Sequence, residues 1–175
     1  MAVEGSDFDV AEFRRGVWHR TATTVALVTS AVEGRQNVMA CEWAMMVSAS
    51  PLRFVVSIAP RRVTHELIEA SGEFGLSFCS EEQAKLSHVS GSYSLRDVDK
   101  WELANFELYD AKTIAVPMVA HSVLNVECRV IAREYLGDHT LFIGEASWAR
   151  YDPDLEPMFY HDGKYWRLGD QIPKE

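Results

Sequence analysis

Cysteine is scarce in this chain, and the few cysteines that occur are not arranged for cross-linking. Cys41, Cys79 and Cys128 are odd in number and far apart, and no Cys-x-x-Cys is present. No pair of histidines has the spacing of zinc ligands either. The sequence therefore indicates neither a disulfide framework nor a structural zinc site, and we expect no bound metal.

Basic residues and long apolar runs are also few. Lys and Arg total 17 against 26 Asp and Glu, which gives a formal net charge of −9 over 175 residues. Such a surface repels a phosphate backbone, so we expect no nucleic-acid partner. No apolar run approaches the roughly 20 residues of a membrane span, and the acidic start is unlike a secretory signal. We expect one acidic, cytoplasmic domain over residues 1–175.

The common catalytic and nucleotide-binding signatures are missing. The chain has no Gly-x-Ser-x-Gly elbow, no Gly-rich dinucleotide fingerprint and no phosphate-binding P-loop. Asp97 and Asp99 lie among Arg96 and Lys100, and this charged segment is interpreted as a solvated ion network.

The patterns that are present predict a mainly β protein. β-Branched or alternating runs predict strands at residues 23–30, 37–43, 54–59, 74–79, 124–133 and 140–151, followed by a hairpin that turns at Asp162-Gly163. In the 124–133 strand we expect one buried and one mostly solvated face. Short helices are predicted at residues 10–20, 64–71 and 81–90. The strands do not alternate with long helices, which favours a small antiparallel barrel with helices over its openings.

One segment has the features of an anion site. The predicted strand that ends at Ala59 leads through Pro60-Arg61-Arg62 directly into a helix, for which Thr64 is the predicted N-cap. Two arginines and a hydroxyl at a helix start suit a terminal phosphate. The alternative interpretation is an ordinary capped helix with two solvated arginines.

Two further features are ambiguous when taken alone. The Asn37–Ser48 segment mixes Trp43, Cys41 and methionines with small residues, so it suits either a flat aromatic ligand or plain core packing. His139 follows a Gly-Asp turn and opens a strand, which places it at a barrel rim. There it is either a reacting group or a surface histidine.

Taken in order, these segments resemble the flavin reductase-like family of FMN-binding split β-barrel proteins, which includes flavoredoxin. Four blocks carry the likeness over residues 10–170. They are Asn37-Val38-Met39-Ala40 with Trp43 and Ser48-x-x-Pro51; Val56-Ser57-Ile58 with Arg62-x-Thr64-His65-Glu66-Leu67-Ile68 and Ser71-Gly72-Glu73-Phe74; Ser90-Gly91 with Asp97-Val98-Asp99-Lys100-Trp101; and Gly137-Asp138-His139-Thr140-Leu141-Phe142-Ile143-Gly144-Glu145.

The resemblance implies a fold and a set of contacts. The fold is an antiparallel, Greek-key split barrel with a few short helices covering it. The flavin ring would lie along Asn37, Met39, Ala40, Cys41, Glu42 and Trp43, bonded largely by backbone groups, with Ser48 near the ring and the ribityl chain. Ser57, Arg62, Thr64 and His65 would hold the ribityl chain and the phosphate. His139 would stand at the open face of the flavin, where the electron donor approaches.

The resemblance also implies an activity. We expect an FMN-binding oxidoreductase, with FAD as the alternative cofactor, that uses NADH or NADPH to reduce flavin or a small acceptor. We also expect a homodimer, and a monooxygenase or other redox partner as a further possible acceptor. A flavoredoxin-like electron carrier without its own NAD(P)H site, or a ferric reductase, are alternatives; a barrel that binds another ligand or heme without redox chemistry is a third. Cys41 stands where many relatives have Ser or Thr.

Overall fold

The computed structural model describes residues 4–6 and 9–174. The remaining positions, 1–3, 7–8 and 175, lie outside the described residues, and with them most of the N-terminal segment that was compared with a secretory signal. None of the helices in the described part is long and apolar enough to cross a membrane. The cytoplasmic location and the single domain over residues 1–175 stay predictions.

The described residues form twelve strands and four helices. The helices are α1 (Ala11–Trp18), α2 (Val63–Ser71), α3 (Ala84–Ser92, preceded by a 3-10 turn at Glu81–Gln83) and α4 (Lys100–Leu103). The strands are β1 (Thr23–Thr24), β2 (Ala26–Val32), β3 (Arg35–Cys41), β4 (Ala44–Ala49), β5 (Leu52–Ile58), β6 (Glu73–Phe78), β7 (Leu108–Tyr109), β8 (Met118–Val119), β9 (Leu124–Leu136), β10 (His139–Tyr151), β11 (Phe159–His161) and β12 (Lys164–Trp166).

Seven strands form the main sheet, in the order β3-β2-β6-β9-β10-β5-β4, with every neighbouring pair antiparallel. The sheet curls so far that its two ends meet. The end strands β3 and β4 are joined by Glu42 and Trp43 alone, and the thiol of Cys41, at the end of β3, reaches the carbonyl of Ser57 on β5 over 3.8 Å. The result is the predicted antiparallel split barrel, and its seam is the place where the end of β3 meets β4 and β5. A smaller sheet, β1-β11-β12, lies beside it.

The core divides into two clusters. Apolar side chains of β2, β5, β6, β9 and β10 fill the barrel, among them the fully buried Phe74 and Phe142. A second cluster around Leu27, Val38 and Met158 packs outside the barrel against residues of α3, α4 and the small sheet. Alternate residues of β2 and β3 therefore face two apolar layers, which is why these strands are more continuously apolar than half-buried strands.

One expectation about β9 is wrong. Asn125 and Glu127 were predicted on a solvated face, but both side chains are completely buried. The carboxylate of Glu127 accepts hydrogen bonds from the backbone N–H groups of Lys112 and Thr113, at 2.7 and 2.6 Å, and from the Thr113 hydroxyl. A buried carboxylate is tolerated when its lone pairs are matched in this way, and here it fixes the loop before β8 onto the sheet.

Candidate functional site

An open cleft of about 860 Å³ lies at the seam of the barrel. Its lining comes from α1, the segment that links β3 to β4, the end of β5 with the turn after it, and the tip of the β9–β10 hairpin. The volume falls within the range of about 300–1,000 Å³ that is typical of ligand and cofactor sites. Of the predicted site residues, the cleft brings together Met39, Ala40, Cys41, Glu42, Trp43, Ser57, Arg62 and His139.

Cys41 forms part of the wall at the seam. Its thiol donates to the carbonyl of Ser57 over 3.8 Å, and burial raises its pKa to about 12. Because the thiolate is the reactive form of cysteine, this side chain is a neutral packing group and not a nucleophile at neutral pH.

Helix α1 is attached to the same wall through Glu42. The indole Nε1–H of Trp18 donates to the Glu42 carboxylate over 2.9 Å. Burial raises the pKa of this carboxyl, while the Trp18 hydrogen bond and the nearby His19 act in the opposite direction. The bond fixes the C-terminal end of α1 at the cleft, although no residue of α1 is fully buried.

His139 stands at the mouth of the cleft between two partners. Its ring lies edge-on to Trp43, with ring centroids 4.8 Å apart. Its Nδ1 donates to the Asp138 carboxylate over 2.7 Å, and this hydrogen bond is the main reason why the pKa of Asp138 is lowered. The side chain of His139 is 20% exposed, so the imidazole is held in place and still reachable from the cleft.

A second, smaller cavity of about 180 Å³ adjoins the cleft and shares Met39, Arg61 and Arg62 with it. It is bordered by the first turn of α2, by Asn37 of β3 and by the segment that connects α3 and α4. The backbone N–H groups of Val63 and Thr64 have no acceptor among the described residues. A helix start with free N–H groups and two arginines is suited to an anion.

Two buried polar atoms of this small cavity lack a partner. The Asn37 side chain is 3% exposed; its Nδ2 donates to the Thr64 hydroxyl over 2.8 Å, while its Oδ1 has no partner among the described residues. Ser90 is 1% exposed, and its Oγ is also unpartnered. Buried polar groups are nearly always hydrogen-bonded, so both atoms are available to a group bound in this cavity.

Lys100 is the residue that sequence analysis missed. Its predicted place in a solvated ion network is wrong, because it is 3% exposed and donates to the carbonyls of Val38 and Ser90. Burial, with a smaller effect from Arg62, lowers its pKa to about 8. No carboxylate pairs with it among the described residues. One feature of the sequence could have indicated its burial: Lys100 precedes Trp101 in the first turn of α4. Asp99 caps this helix by accepting a hydrogen bond from the Trp101 N–H.

The predicted role of Thr64 as the N-cap of α2 is also wrong. Arg62 occupies the N-cap position without a side-chain cap, and Thr64 lies inside the first turn. Its hydroxyl is completely buried and accepts from Asn37. Thr64 therefore borders the small cavity from within the helix.

Two predicted contact residues need correction, because the structure brings neither of them to a cavity. His65 faces the sheet, where Nε2 lies 2.8 Å from the Thr140 hydroxyl and the ring contacts Phe142 edge-on. Burial lowers its pKa, so the neutral ring serves the packing of α2. Ser48 lies on β4, at a bulge in its pairing with β5, and lines neither cavity.

Comparison with known proteins identifies the type of domain. The family model described as "Flavin reductase like domain" matches residues 18–169. An uncharacterized protein of Archaeoglobus fulgidus is 37% identical over 68% of this chain and 67% of its own length. From the same organism, a protein named ferric-chelate reductase (NAD(P)H) is 28% identical over 82% of this chain and 84% of its own. The reductase component of an FADH(2)-dependent resorcinol hydroxylase of Rhizobium sp. is 26% identical over 94% and 89%.

Solved structures agree with these sequence matches. An FMN-binding protein from Thermus thermophilus superposes with a TM-score of 0.85 at 28% identity and covers 100% of both chains. The NADH:FAD oxidoreductase SgcE6 of Streptomyces globisporus C-1027 has a TM-score of 0.88 over 97% of this chain and 99% of its own, at 24% identity. At that identity the second likeness concerns the fold alone.

Proposed function

The chain belongs to the flavin reductase-like family, and on this premise we propose that it binds FMN and uses NADH or NADPH to reduce flavin or another small acceptor. The ferric-chelate reductase among its relatives is named for an NAD(P)H-dependent reaction, and the structural relative from Thermus for FMN binding. Both names support the proposal, and the residues that line the cleft and the small cavity support FMN as the flavin.

The observation that carries the proposal is the buried Lys100 at the small cavity, whose ammonium donates to two carbonyls but has no carboxylate partner among the described residues. A buried ammonium without a carboxylate is costly, and it lies close enough to Arg62 for that charge to lower its pKa further. Arg61, Arg62 and the free N–H groups of α2 add positive charge in a protein whose net charge is −9. A phosphate group there would relieve this repulsion and satisfy the cavity's free donors.

The cleft and the small cavity together fit one flavin mononucleotide. The wall from Met39 to Trp43 and the end of β5 form the larger space, and Arg61 and Arg62 border both spaces. Asn37, which was expected along the ring, lines only the small cavity and would hold the phosphate end together with Arg62 and Thr64. Ser57 with the 39–43 wall would hold the ring and the ribityl chain. The small cavity suits the single terminal phosphate of FMN better than an internal diphosphate, which favours FMN over FAD.

FMN supplies the electron-transfer chemistry when it is bound, and the protein supplies orientation and protons. His139 is the residue that would position the donor or relay a proton, because Nδ1 is occupied by Asp138 and Nε2 is the nitrogen that remains. Trp43 limits the movement of the imidazole.

We further propose a homodimer that forms through β4. This end strand pairs only with β5 among the described residues, and its side chains Met45, Met46 and Val47 are 59%, 57% and 49% exposed. Together with Trp43 at 45%, they form an apolar patch on an open strand edge. Natural proteins seldom leave such an edge uncovered, and a second copy of the chain would cover it beside the cleft.

We also propose a redox partner protein, such as a monooxygenase, as an acceptor. The reductase component of a resorcinol hydroxylase among the relatives works, by its name, with a hydroxylase. The acidic surface of this chain suits docking to a basic partner protein.

The visible absorption spectrum of the purified protein tests the proposed function. The spectrum is recorded after incubation with FMN and gel filtration, and again after adding NADH or NADPH without oxygen. Flavin bands that bleach with a nicotinamide donor support the reductase. Bands that bleach only with dithionite would replace it with the electron-carrier alternative. A protein that takes up no flavin would contradict the proposal.

A further inference from the structure

We propose that the segment between α3 and α4, residues 93–98, is a strap that closes the phosphate end of the FMN site, and that Arg96 is the latch that holds it shut. The strap would set how fast FMN enters and leaves the protein. This inference rests on the proposed function and adds a conformational step to it, at residues that do not line the main cleft.

The strap separates two cavities. Tyr93, Ser94 and Leu95 line the small phosphate cavity of about 180 Å³. A further cavity, of about 430 Å³, is lined by Leu95 and Arg96 together with the start of β3 and the first turn of α4. Leu95 and Val63 border both cavities, so at this point the strap has open volume on either side.

The two ends of the strap are fixed to the barrel and to each other. Lys100, at the start of α4, donates from its ammonium to the carbonyl of Ser90, in the last turn of α3, over 3.2 Å. The same ammonium donates to the carbonyl of Val38 of β3 over 2.6 Å. A short loop whose ends are close and anchored can open while the flanking helices stay in place.

The middle of the strap is held to α2 through Arg96. Its guanidinium donates to the carbonyl of Arg61 over 2.8 Å and lies 3.6 Å from the carboxylate of Glu66 on α2. The backbone bonds of the strap are local, since two of its N–H groups donate to the Ser94 carbonyl. Among the described residues, no other side chain of the strap makes a hydrogen bond or ion pair outside it.

The latch consists of exposed groups, which suits a contact that opens and closes. The side chains of Arg96 and Glu66 are 57% and 49% exposed, and exposed ion pairs contribute little to stability. Glu66 is also shared with Arg35, whose guanidinium donates to it over 2.9 Å. Among the described residues, the two apolar clusters include no side chain of the strap. A segment with few buried apolar contacts opens locally at low cost.

Arg96 acts on the phosphate site through Arg61. The carbonyl that accepts its hydrogen bond belongs to a residue that borders both the cleft and the small cavity. While the strap is closed, it walls the cavity in which the phosphate of FMN would lie. Opening the strap should therefore speed both the entry and the exit of FMN. Riboflavin has no phosphate to place in this cavity and should not respond.

The test measures the association and dissociation rate constants of FMN and riboflavin for the wild type and for Arg96→Ala. Flavin fluorescence anisotropy follows binding to flavin-free protein in a stopped-flow instrument, and release after rapid dilution of the loaded protein. We expect both rate constants for FMN to rise about tenfold, because the lost contacts equal about one strong hydrogen bond. The dissociation constant should change less than either rate constant, and both riboflavin rates should stay unchanged.

Hydrogen exchange gives a local readout of the same opening. In flavin-free Arg96→Ala, amides of residues 93–98 should exchange faster than in the wild type, while amides of the barrel strands should keep their protection. A folding defect would instead raise exchange in the barrel as well.

Three further variants separate the latch from a general effect of charge. Arg35→Ala is the matched control, because it removes a cation that shares Glu66 but has no hydrogen bond or ion pair with the strap among the described residues. Its FMN rates should equal those of the wild type. Arg96→Lys keeps the charge but not the planar fork, and its rates should lie between those of the wild type and Arg96→Ala. Glu66→Gln should accelerate exchange less than Arg96→Ala, and should add nothing to it in the double variant.

Three results would overturn the inference. Wild-type FMN rates in Arg96→Ala would show that the strap does not control exchange. A rise in the dissociation rate alone would make Arg96 a static support of the phosphate site. Equal acceleration of riboflavin, or of FMN in Arg35→Ala, would indicate a general effect on the site. Failure of the proposed function would instead appear in the wild type itself, as a protein that binds no FMN.

Discussion

The imidazole of His139 stands edge-on to the indole of Trp43, with 4.8 Å between ring centroids and an angle of 61° between planes. Asp138 holds Nδ1 from the other side. The histidine comes from a hairpin tip and the tryptophan from the barrel seam, so this contact joins two distant parts of the chain at the mouth of the cleft. The imidazole is therefore positioned before any ligand arrives.

Replacing His139 should slow flavin reduction without loss of the fold. In His139→Ala we expect the rate of reduction by NADH to fall about tenfold or more, since a positioned acid–base group typically contributes at least that much. His139→Phe keeps an aromatic ring against Trp43 but removes both nitrogens, and should show a similar loss. Stopped-flow absorbance of the flavin measures the rate. Wild-type rates and donor affinity in both variants would show that His139 has no such role.

Removing the side chain of Arg62 should weaken the binding of FMN but not that of riboflavin, which lacks only the phosphate. In Arg62→Ala we expect FMN binding to weaken by about ten- to a hundredfold, because a charge-assisted contact to the phosphate is lost. Riboflavin binding should hardly change. Arg53→Ala, on β5 and paired with Glu145 outside both cavities, is the matched control. Equal losses for FMN and riboflavin would remove the phosphate assignment.

The low pKa of Lys100 predicts that FMN affinity depends on pH. Lys100 is charged below about pH 8 and neutral above it in the unliganded protein. FMN binding should therefore weaken as the pH rises from 7 to 9.5, where the flavin phosphate keeps its charge. Fluorescence titrations should show no such trend for riboflavin. The variant Lys100→Met should bind FMN weakly at every pH, and a pH trend that persists in it would contradict this assignment.

Lys100 should also make the stability of the protein depend on pH, but here the expected effect is an increase with pH, whereas FMN affinity should decrease. The pKa of Lys100 is lowered from 10.5 in the folded state, so the unfolded chain binds more protons between about pH 8 and 10.5. Over that window the contribution of Lys100 to the free energy of unfolding of the flavin-free protein should rise with pH. Denaturant titrations of wild type and Lys100→Met isolate this contribution, which should be absent in the variant.

Gly144 should not tolerate a side chain. A Cβ at this position on β10 would lie 2.5 Å from Cζ of Phe74 and 2.7 Å from Cβ of Cys128, both in the barrel core. We expect Gly144→Ala to lower the free energy of unfolding by about 1–3 kcal/mol, as overpacked cores do. Gly16→Ala on α1, where a Cβ meets nothing, is the control and should not destabilise. Urea denaturation of both variants checks the difference.

Charged residues on β4 should prevent the proposed dimer. The double variant Met45→Glu/Val47→Glu places two carboxylates in the exposed patch, and we expect it to elute as a monomer in size-exclusion chromatography with light scattering. Leu168→Glu, at a position that is 62% exposed elsewhere on the surface, should elute like the wild type. A wild-type protein that is itself monomeric at micromolar concentrations would refute the dimer.

The fold was largely readable from local patterns. Asp162-Gly163 was predicted as a two-residue hairpin turn, and the structure has positive φ at both residues, 50° and 73°, as that turn requires. The strands were recognised because apolar and β-branched residues recur along them. The family resemblance brought these elements into one architecture, and the structure confirms the split barrel.

The part of the site that sequence could not supply depends on contacts between distant segments. Lys100 has charged neighbours in the chain, yet its acceptors are carbonyls of Val38 and Ser90, which no local pattern connects with it. Thr64 was predicted as the N-cap because threonine is common at that position, but its hydroxyl accepts a hydrogen bond from Asn37 of β3. His65 was carried over with its motif, although its ring turns toward Thr140.

The seam of the barrel has a consequence for synthesis on the ribosome. The cleft wall from Met39 to Trp43 is synthesised early, but β5 gains its second partner only when β10 arrives, with Ile58 opposite Thr140. His139 arrives with the same strand. Until β10 has emerged, β5 has only β4 beside it and the cleft lacks one rim. Before β10 is synthesised the cleft is therefore incomplete, and a cofactor that needs both of its rims cannot be held by the segments that precede this strand.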